Sequence, residues 1–285
     1  MTAPHNENAG FSAAPEEGAP LTGAPLTGGP LTGAPLTGEP LTGAPRTGAP
    51  RTGLPHPGVP VEHHLTTART ARYYTLGAPL AETKRVWFVL HGYAQLAGRF
   101  LRHFNGIVPA DTLIVAPEAL SRFYLELPRA DRKHMERIGA AWMTREDRDA
   151  DISDTRAWLD SVYRTVMDDI ARATDGLPEV TIMAFSQSVA ITMRWIAGGV
   201  AKPSRVIMWA GSLATDVEPD AFRAGLGNAD VLLVAGERDL FLTEKTRPLI
   251  RGQWDALGIP VREILYDGVH EVDPVMLAEL LQLHR

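Results

Sequence analysis

Three observations make this an α/β sequence, with a mostly parallel sheet carrying helices on both faces. Beyond residue 60, β-prone runs alternate with helical stretches along the whole chain. Several of those runs are apolar at every position, as strands covered on both faces must be, whereas a half-exposed strand alternates. Residues 61–285 also hold nearly all the aromatic and branched aliphatic side chains, enough for one sizeable core.

Residues 1–60 stand apart. They contain 12 of the 22 prolines, 11 of the 26 glycines and one aromatic, Phe11. From Pro20 to Gly53 a five-residue unit repeats, Pro-Leu-Thr-Gly-x five times and then Pro-Arg-Thr-Gly-x twice, with a degraded copy at Pro55-His56-Pro57-Gly58. Proline in each unit blocks helix, glycine raises the entropy cost of order, and one leucine per unit cannot offset it. A disordered, solvated repeat arm is expected over 1–60, followed by a single α/β domain over 61–285.

The domain opens with Arg72-Tyr73-Tyr74-Thr75-Leu76, which alternates like an edge strand. Arg85–Leu90 is a compact β-prone run, and further strands are expected at Thr112–Ala116, Val180–Phe185, Arg205–Ala210, Val231–Ala235 and Val261–Tyr266. Between them, Trp158, Val162, Val166 and Ile170 recur every fourth residue and give one apolar stripe on a long helix stopping near Gly176. Gln187–Ala197 is apolar on almost every side, with Arg194 its only charge, and so predicts a helix buried at the centre. Asp273-Pro274 reads as an N-cap and first-turn proline that launch a last helix. Residues 118–151 fit the alternation poorly and predict an irregular excursion over one end of the sheet. Short connections elsewhere leave no room for a large cap domain.

The net charge is −6, of which the arm carries −2, and no Lys/Arg cluster interrupts the acidic body. Nucleic-acid binding is therefore not expected, since it needs a concentrated positive footprint. With no cysteine, a disulfide framework, a thiolate nucleophile and Cys-ligated zinc are excluded. No apolar run reaches the ~18 residues of a membrane span, and the N-terminus has no apolar segment of a secretory signal, so a cytoplasmic location is expected.

In a parallel sheet, reactive groups belong at the carboxyl ends of strands. Four such ends carry suitable residues. Ala184-Phe185-Ser186-Gln187-Ser188 lies between a β run and the buried helix, where a cramped turn needs small residues two before and two after the serine. Leu90-His91-Gly92-Tyr93 follows the Arg85–Leu90 strand and is placed to turn the Tyr93 N–H inward beside that of Gln187, as an oxyanion hole requires. Asp239, in Gly236-Glu237-Arg238-Asp239, and His270, in Asp267-Gly268-Val269-His270, follow the next two strand ends. Ser, Asp and His in this order are the chain order of an α/β-hydrolase triad: Ser186 the nucleophile, His270 the base, Asp239 its orienting acid. Asp216, after the preceding strand, is the alternative acid. Trp142 and Met143 either line a substrate pocket or pack the excursion onto the sheet, and Phe241 is a further candidate for the pocket. Glu237 reads as a solvated neighbour of Asp239, and Ser212 as a loop residue. The adjacent His63 and His64 point in divergent directions and no carboxylate cluster surrounds them, so surface histidines are expected and no metal site.

Leu90-His91-Gly92-Tyr93, Phe185-Ser186-Gln187, Gly236-Glu237-Arg238-Asp239 and Gly268-Val269-His270-Glu271 together resemble the phospholipase/carboxylesterase family of α/β-hydrolases, which includes the acyl-protein thioesterases. The resemblance spans about residues 70–285. It implies the same triad and oxyanion hole, no cofactor, and a small-molecule ester or thioester substrate. The sequence departs from the family at Ala184 and Ser188, which stand where glycines are usual, and at Ala94, where many members have glycine. A cofactor-independent carboxylesterase-type serine hydrolase is the first expectation. A catalytically degenerate scaffold that binds a ligand or partner, with Ser188 crowding the turn, is the second, and a peptidase of the same fold the third.

Overall fold

A computed structural model describes residues 60–125 and 137–283; the repeat arm expected over 1–60 lies outside them apart from Pro60. Residues 60–65 are exposed coil in which the His64 ring meets the Glu62 carboxylate at 3.0 Å. Thr66–Arg285 form one compact unit.

That unit is built on seven strands in the order β1-β3-β2-β6-β7-β8-β9. The strands are β1 Tyr73–Gly77, β2 Arg85–Leu90, β3 Thr112–Pro117, β6 Glu179–Phe185, β7 Arg205–Trp209, β8 Asp230–Gly236 and β9 Val261–Tyr266. β1 runs antiparallel to β3 and every other neighbouring pair is parallel. Each expected strand is present to within a residue or two. Helices cover both faces. Val86, Phe88 and Leu90 point to one side, into a core shared with α2 (Arg148–Ala173), α3 (Gln187–Gly198), α4 (Pro219–Leu226) and Trp254 of α5 (Arg247–Ala256). Trp87 and Val89 point to the other, against α1 (Ala97–Phe100) and α6 (Pro274–Gln282). Two covered faces are the reason β2 and β3 are buried at all positions.

The helices obey the sequence signals. In α2, Leu159, Val162, Val166 and Ile170 turn the apolar stripe onto the sheet, and the helix ends at Ala173. Eight of the twelve residues of α3 are buried, and α6 starts where the Asp273 side chain accepts the Met276 N–H at 2.7 Å. Filling such positions with a Leu, Ile or Val contributes ~1.5–3 kcal/mol each.

In its described parts, 118–125 and 137–151, the excursion is more regular than its sequence suggests. Two strands, β4 Ser121–Tyr124 and β5 Ile138–Ala141, pair antiparallel, and α2 already begins at Arg148. A bridge from Gln95 to Ala140 fastens this small sheet beside the end of β2. The strands are only four residues each, too short to declare a period in the sequence.

Candidate active site

Ser186 is the residue that joins β6 to α3, and its backbone is strained, with φ 58° and ψ −118°. A non-glycine residue there costs about 1–3 kcal/mol, a strain that the surrounding structure must hold in place. The Ser186 N–H donates to the Trp209 carbonyl at 2.8 Å, and the Val189 N–H donates to the Ser186 carbonyl at 3.1 Å. Ala184 is buried between Leu90 of β2 and Met208 of β7. Ser188 is fully buried too, and it does not crowd the turn. Its hydroxyl accepts the Phe185 N–H at 2.9 Å and donates to the Leu90 carbonyl at 2.9 Å. The serine thus satisfies two backbone groups and fastens β2 to β6 directly beneath Ser186.

The register of these two strands also places the amides. Leu90 pairs with Ala184, so Tyr93 and Gln187 each stand three residues past a paired position on adjacent strands. Around Tyr93 the Gly92 N–H donates to Gln95 Oε1 at 2.8 Å and the Ala94 N–H to the Ala140 carbonyl at 2.9 Å. Among the described residues, the N–H groups of Tyr93 and Gln187 make no hydrogen bond. Ala94 takes φ 63°, the left-handed conformation for which glycine is the easier residue. The Gln187 side chain clamps the end of the small sheet, with its Oε1 accepting the Trp142 N–H at 3.0 Å and its Nε2 donating to the Met143 carbonyl at 3.0 Å.

His270 and Asp239 arrive from the far side of the sheet. The Glu237 N–H donates to the Tyr266 carbonyl and the Arg238 N–H to the Gly268 carbonyl, both at 2.9 Å, so the loops after β8 and β9 are tied together. Gly236 permits this closeness, because a Cβ there would lie 2.5 Å from the Gly268 carbonyl oxygen. The imidazole of His270 reaches Asp239 Oδ2 with Nδ1 at 2.8 Å and Ser186 Oγ with Nε2 at 2.9 Å. Asp239 is 2% exposed, and its second oxygen accepts the Phe241 N–H at 2.8 Å. With Nδ1–H donating to the carboxylate, Nε2 turns a lone pair to the Ser186 hydroxyl. Phe185 and Phe241 flank the ring, with centroids 5.1 and 4.6 Å away.

His91, at the end of β2, is a different kind of histidine. It is buried, its Nδ1–H donates to the Gly92 carbonyl at 2.8 Å, and its Nε2 accepts the Ala119 N–H at 3.1 Å. Burial lowers its pKa to about 4, against the smaller upward pulls of its bond to the Gly92 carbonyl and of the Glu118 charge. It is therefore a neutral strut.

The cleft over Ser186 measures about 440 Å³ and is walled by Met143, Phe241, Ala190 and the chain from Ala210 to Thr215. Met143 and Phe241 thus line it. Trp142 instead packs the small sheet down, 1% exposed, with its indole N–H donating to the His91 carbonyl at 2.7 Å. Asp216, the alternative acid, is bound up elsewhere: Arg194 reaches it at 3.1 and 2.5 Å and Arg148 at 3.1 Å. Burial pushes the Asp216 pKa up, but these hydrogen bonds and charges outweigh it and hold the carboxyl below its ordinary value. Ser212 lines the cleft without meeting a base, while Glu237 is exposed beside Asp239.

Solved structures share this architecture. Acyl-protein thioesterase 2 of Zea mays superposes with a TM-score of 0.54 at 16% identity, over 75% of this chain and 97% of that one. The chain has the α/β-hydrolase fold. A carboxylesterase from Mesorhizobium loti gives 0.54 at 15% identity, over 74% and 94%, and a phospholipase/carboxylesterase from Dyadobacter fermentans DSM 18053 gives 0.50 at 15%, over 76% and 98%. No family model and no curated protein matches the sequence. Within the α/β-hydrolase fold, sequence reasoning did not single out Arg148 or Arg194 as cleft residues, because their shared partner Asp216 is 68 and 22 positions away.

Proposed function

We propose that the chain is a cofactor-independent serine hydrolase of the phospholipase/carboxylesterase type, cleaving carboxylic esters or thioesters. The observation that carries this reading is the continuous line of hydrogen bonds from Asp239 through His270 to a strained, cleft-facing Ser186. The fold shared with esterases and thioesterases supports it.

In this mechanism Ser186 Oγ attacks the acyl carbon as its proton passes to His270 Nε2. Asp239 stays ionised and stabilises the imidazolium through Nδ1–H. The oxyanion that forms accepts hydrogen bonds from the Tyr93 and Gln187 N–H groups, whose donors need no rearrangement. His270 then protonates the departing alkoxide or thiolate, leaving an acyl-enzyme on Ser186. Water, deprotonated by the same imidazole, attacks the acyl carbon; Ser186 leaves with its proton restored and the acid is released.

The degenerate-scaffold alternative drew its support from Ser188, and a Ser188 that satisfies two backbone groups removes that support. The test is hydrolysis of short p-nitrophenyl esters by the full chain and by Ser186→Ala. The substitution is expected to lower kcat/KM by about 10⁴-fold or more. A Ser186→Ala protein as active as the wild type would overturn the assignment.

A further inference from the structure

One corner of the cleft has a charge arrangement that ester hydrolysis alone does not require. Helix α3 presents Gln187, Ala190 and Arg194 to the cleft, a spacing of three and seven residues that makes one face. Arg194 is the only charge on that helix, and its side chain is just 8% exposed. Burying a guanidinium is costly unless it is paired, and a leucine would pack the position without that cost. The Arg194 guanidinium holds Asp216 with two hydrogen bonds and donates a third to the Ala190 carbonyl at 3.0 Å.

Asp216 in turn holds Arg148, which also lines the cleft. Arg148 occupies the first position of α2, where a cation opposes the helix dipole. It spends one Nη2 donor on Asp216, and its Nη1 stands 3.7 Å from the exposed Asp149 carboxylate, beyond hydrogen-bond reach. Two guanidinium groups share the exposed Asp216 carboxylate and solvent-exposed Asp149 offsets the second charge, so what the corner offers is the unspent donors of Arg148 in the wall of the cleft that holds Ser186.

We propose that Arg148, braced by Asp216 and Arg194, binds a free carboxylate on the acyl part of the substrate, so that the preferred substrates are half-esters or half-thioesters of short dicarboxylic acids. This rests on the hydrolase reading above. The acyl side is the one indicated because the leaving group must take its proton from His270, which arrives from the β9 side. His270 packs against Phe185, which belongs to the core on the α1 and α6 face, whereas Arg148 and Arg194 reach Asp216 from α2 and α3 on the other face. Arg194, which is tied to Arg148 through Asp216, lies seven residues past Gln187, about 10 Å along the helix, and this sets the scale of the wall between the Gln187 amide and the corner. That span suits a few carbons between ester carbonyl and carboxylate, and a guanidinium suits the carboxylate bidentately.

The test compares monoethyl glutarate with ethyl pentanoate, using the full chain and following released acid by titration. Wild type is expected to prefer the half-ester by about tenfold or more in kcat/KM, one charge-assisted contact's worth of discrimination. Arg148→Gln should shrink that ratio through a raised KM for the half-ester, and Arg148→Glu should shrink it further. A third substrate, the butanoate ester of glycolic acid, carries its carboxylate on the alcohol side and should gain nothing. The inference is overturned by a wild-type ratio of one or less, by Arg148→Gln lowering both esters in parallel, or by preference for the glycolate ester. Ester hydrolysis without carboxylate preference removes this inference alone. No hydrolysis of any ester, together with no fluorophosphonate adduct on Ser186, removes the hydrolase reading with it.

Discussion

His91 and Ser188 take no part in bond making, yet both hold the backbone around the cleft. Losing the Ser188 hydroxyl would remove its bonds to the Phe185 N–H and the Leu90 carbonyl, a cost of about 0.5–1.5 kcal/mol each. His91 adds a pH dependence whose sign follows from its depressed pKa of about 4. Between the ordinary histidine value near 6.5 and about 4, the unfolded chain takes up a proton that the folded chain refuses. Stability from this residue is therefore complete above that window and declines as the pH falls through it, by about 3 kcal/mol in total. Urea midpoints at pH 7, 5.5 and 4 should fall more steeply for wild type than for His91→Gln; parallel slopes would show that the ring is not held neutral. Ser186, Asp239, His270, Tyr93 and Gln187 could be singled out in the sequence because each follows a strand within one to four positions, and strand ends are visible as the limits of apolar runs. The Arg148–Asp216–Arg194 corner could not be, since nothing local in a sequence ties residues that meet only after α2, α3 and the loop following β7 have packed.

Among the elements, the inner strands β2, β3, β6, β7 and β8 could be read because burial on both faces leaves a largely apolar run, while the edge strand β1 was read from its alternation. Short, one-sided elements were harder. Helix α4 shows only Phe222 and Leu226 to the core, four residues apart, and its best signal was Pro219 at the first turn. β4 and β5 gained their regularity from each other and from Gln95, neither of which is a local property. The contact between α3 and α4 carries a prediction. A Cβ on Gly225 of α4 would meet the Ile196 carbonyl of α3, which is backbone and cannot swing aside. Gly225→Ala should therefore destabilise the fold by about 1–3 kcal/mol despite alanine's better helix propensity, as read by urea denaturation. An unchanged or higher midpoint would mean that the two helices slide apart freely.

Across the whole molecule, the three side chains that meet over the cleft come from the ends of β6, β8 and β9, with 84 positions between Ser186 and His270. Parallel pairing through β7 sets their spacing, so the site is a property of the completed sheet and cannot form from one segment. Charge at this scale is a net −6 without a basic cluster in the sequence, while two guanidinium groups stand together at one wall of the cleft. The central claim is that these distant residues make one serine unusually nucleophilic. Intact-mass analysis of the full chain after incubation with a fluorophosphonate at neutral pH tests it most directly. One adduct per chain is expected, mapping to Ser186 and lost in His270→Ala; an unlabelled wild-type chain, or labelling that persists in Ser186→Ala, would contradict it.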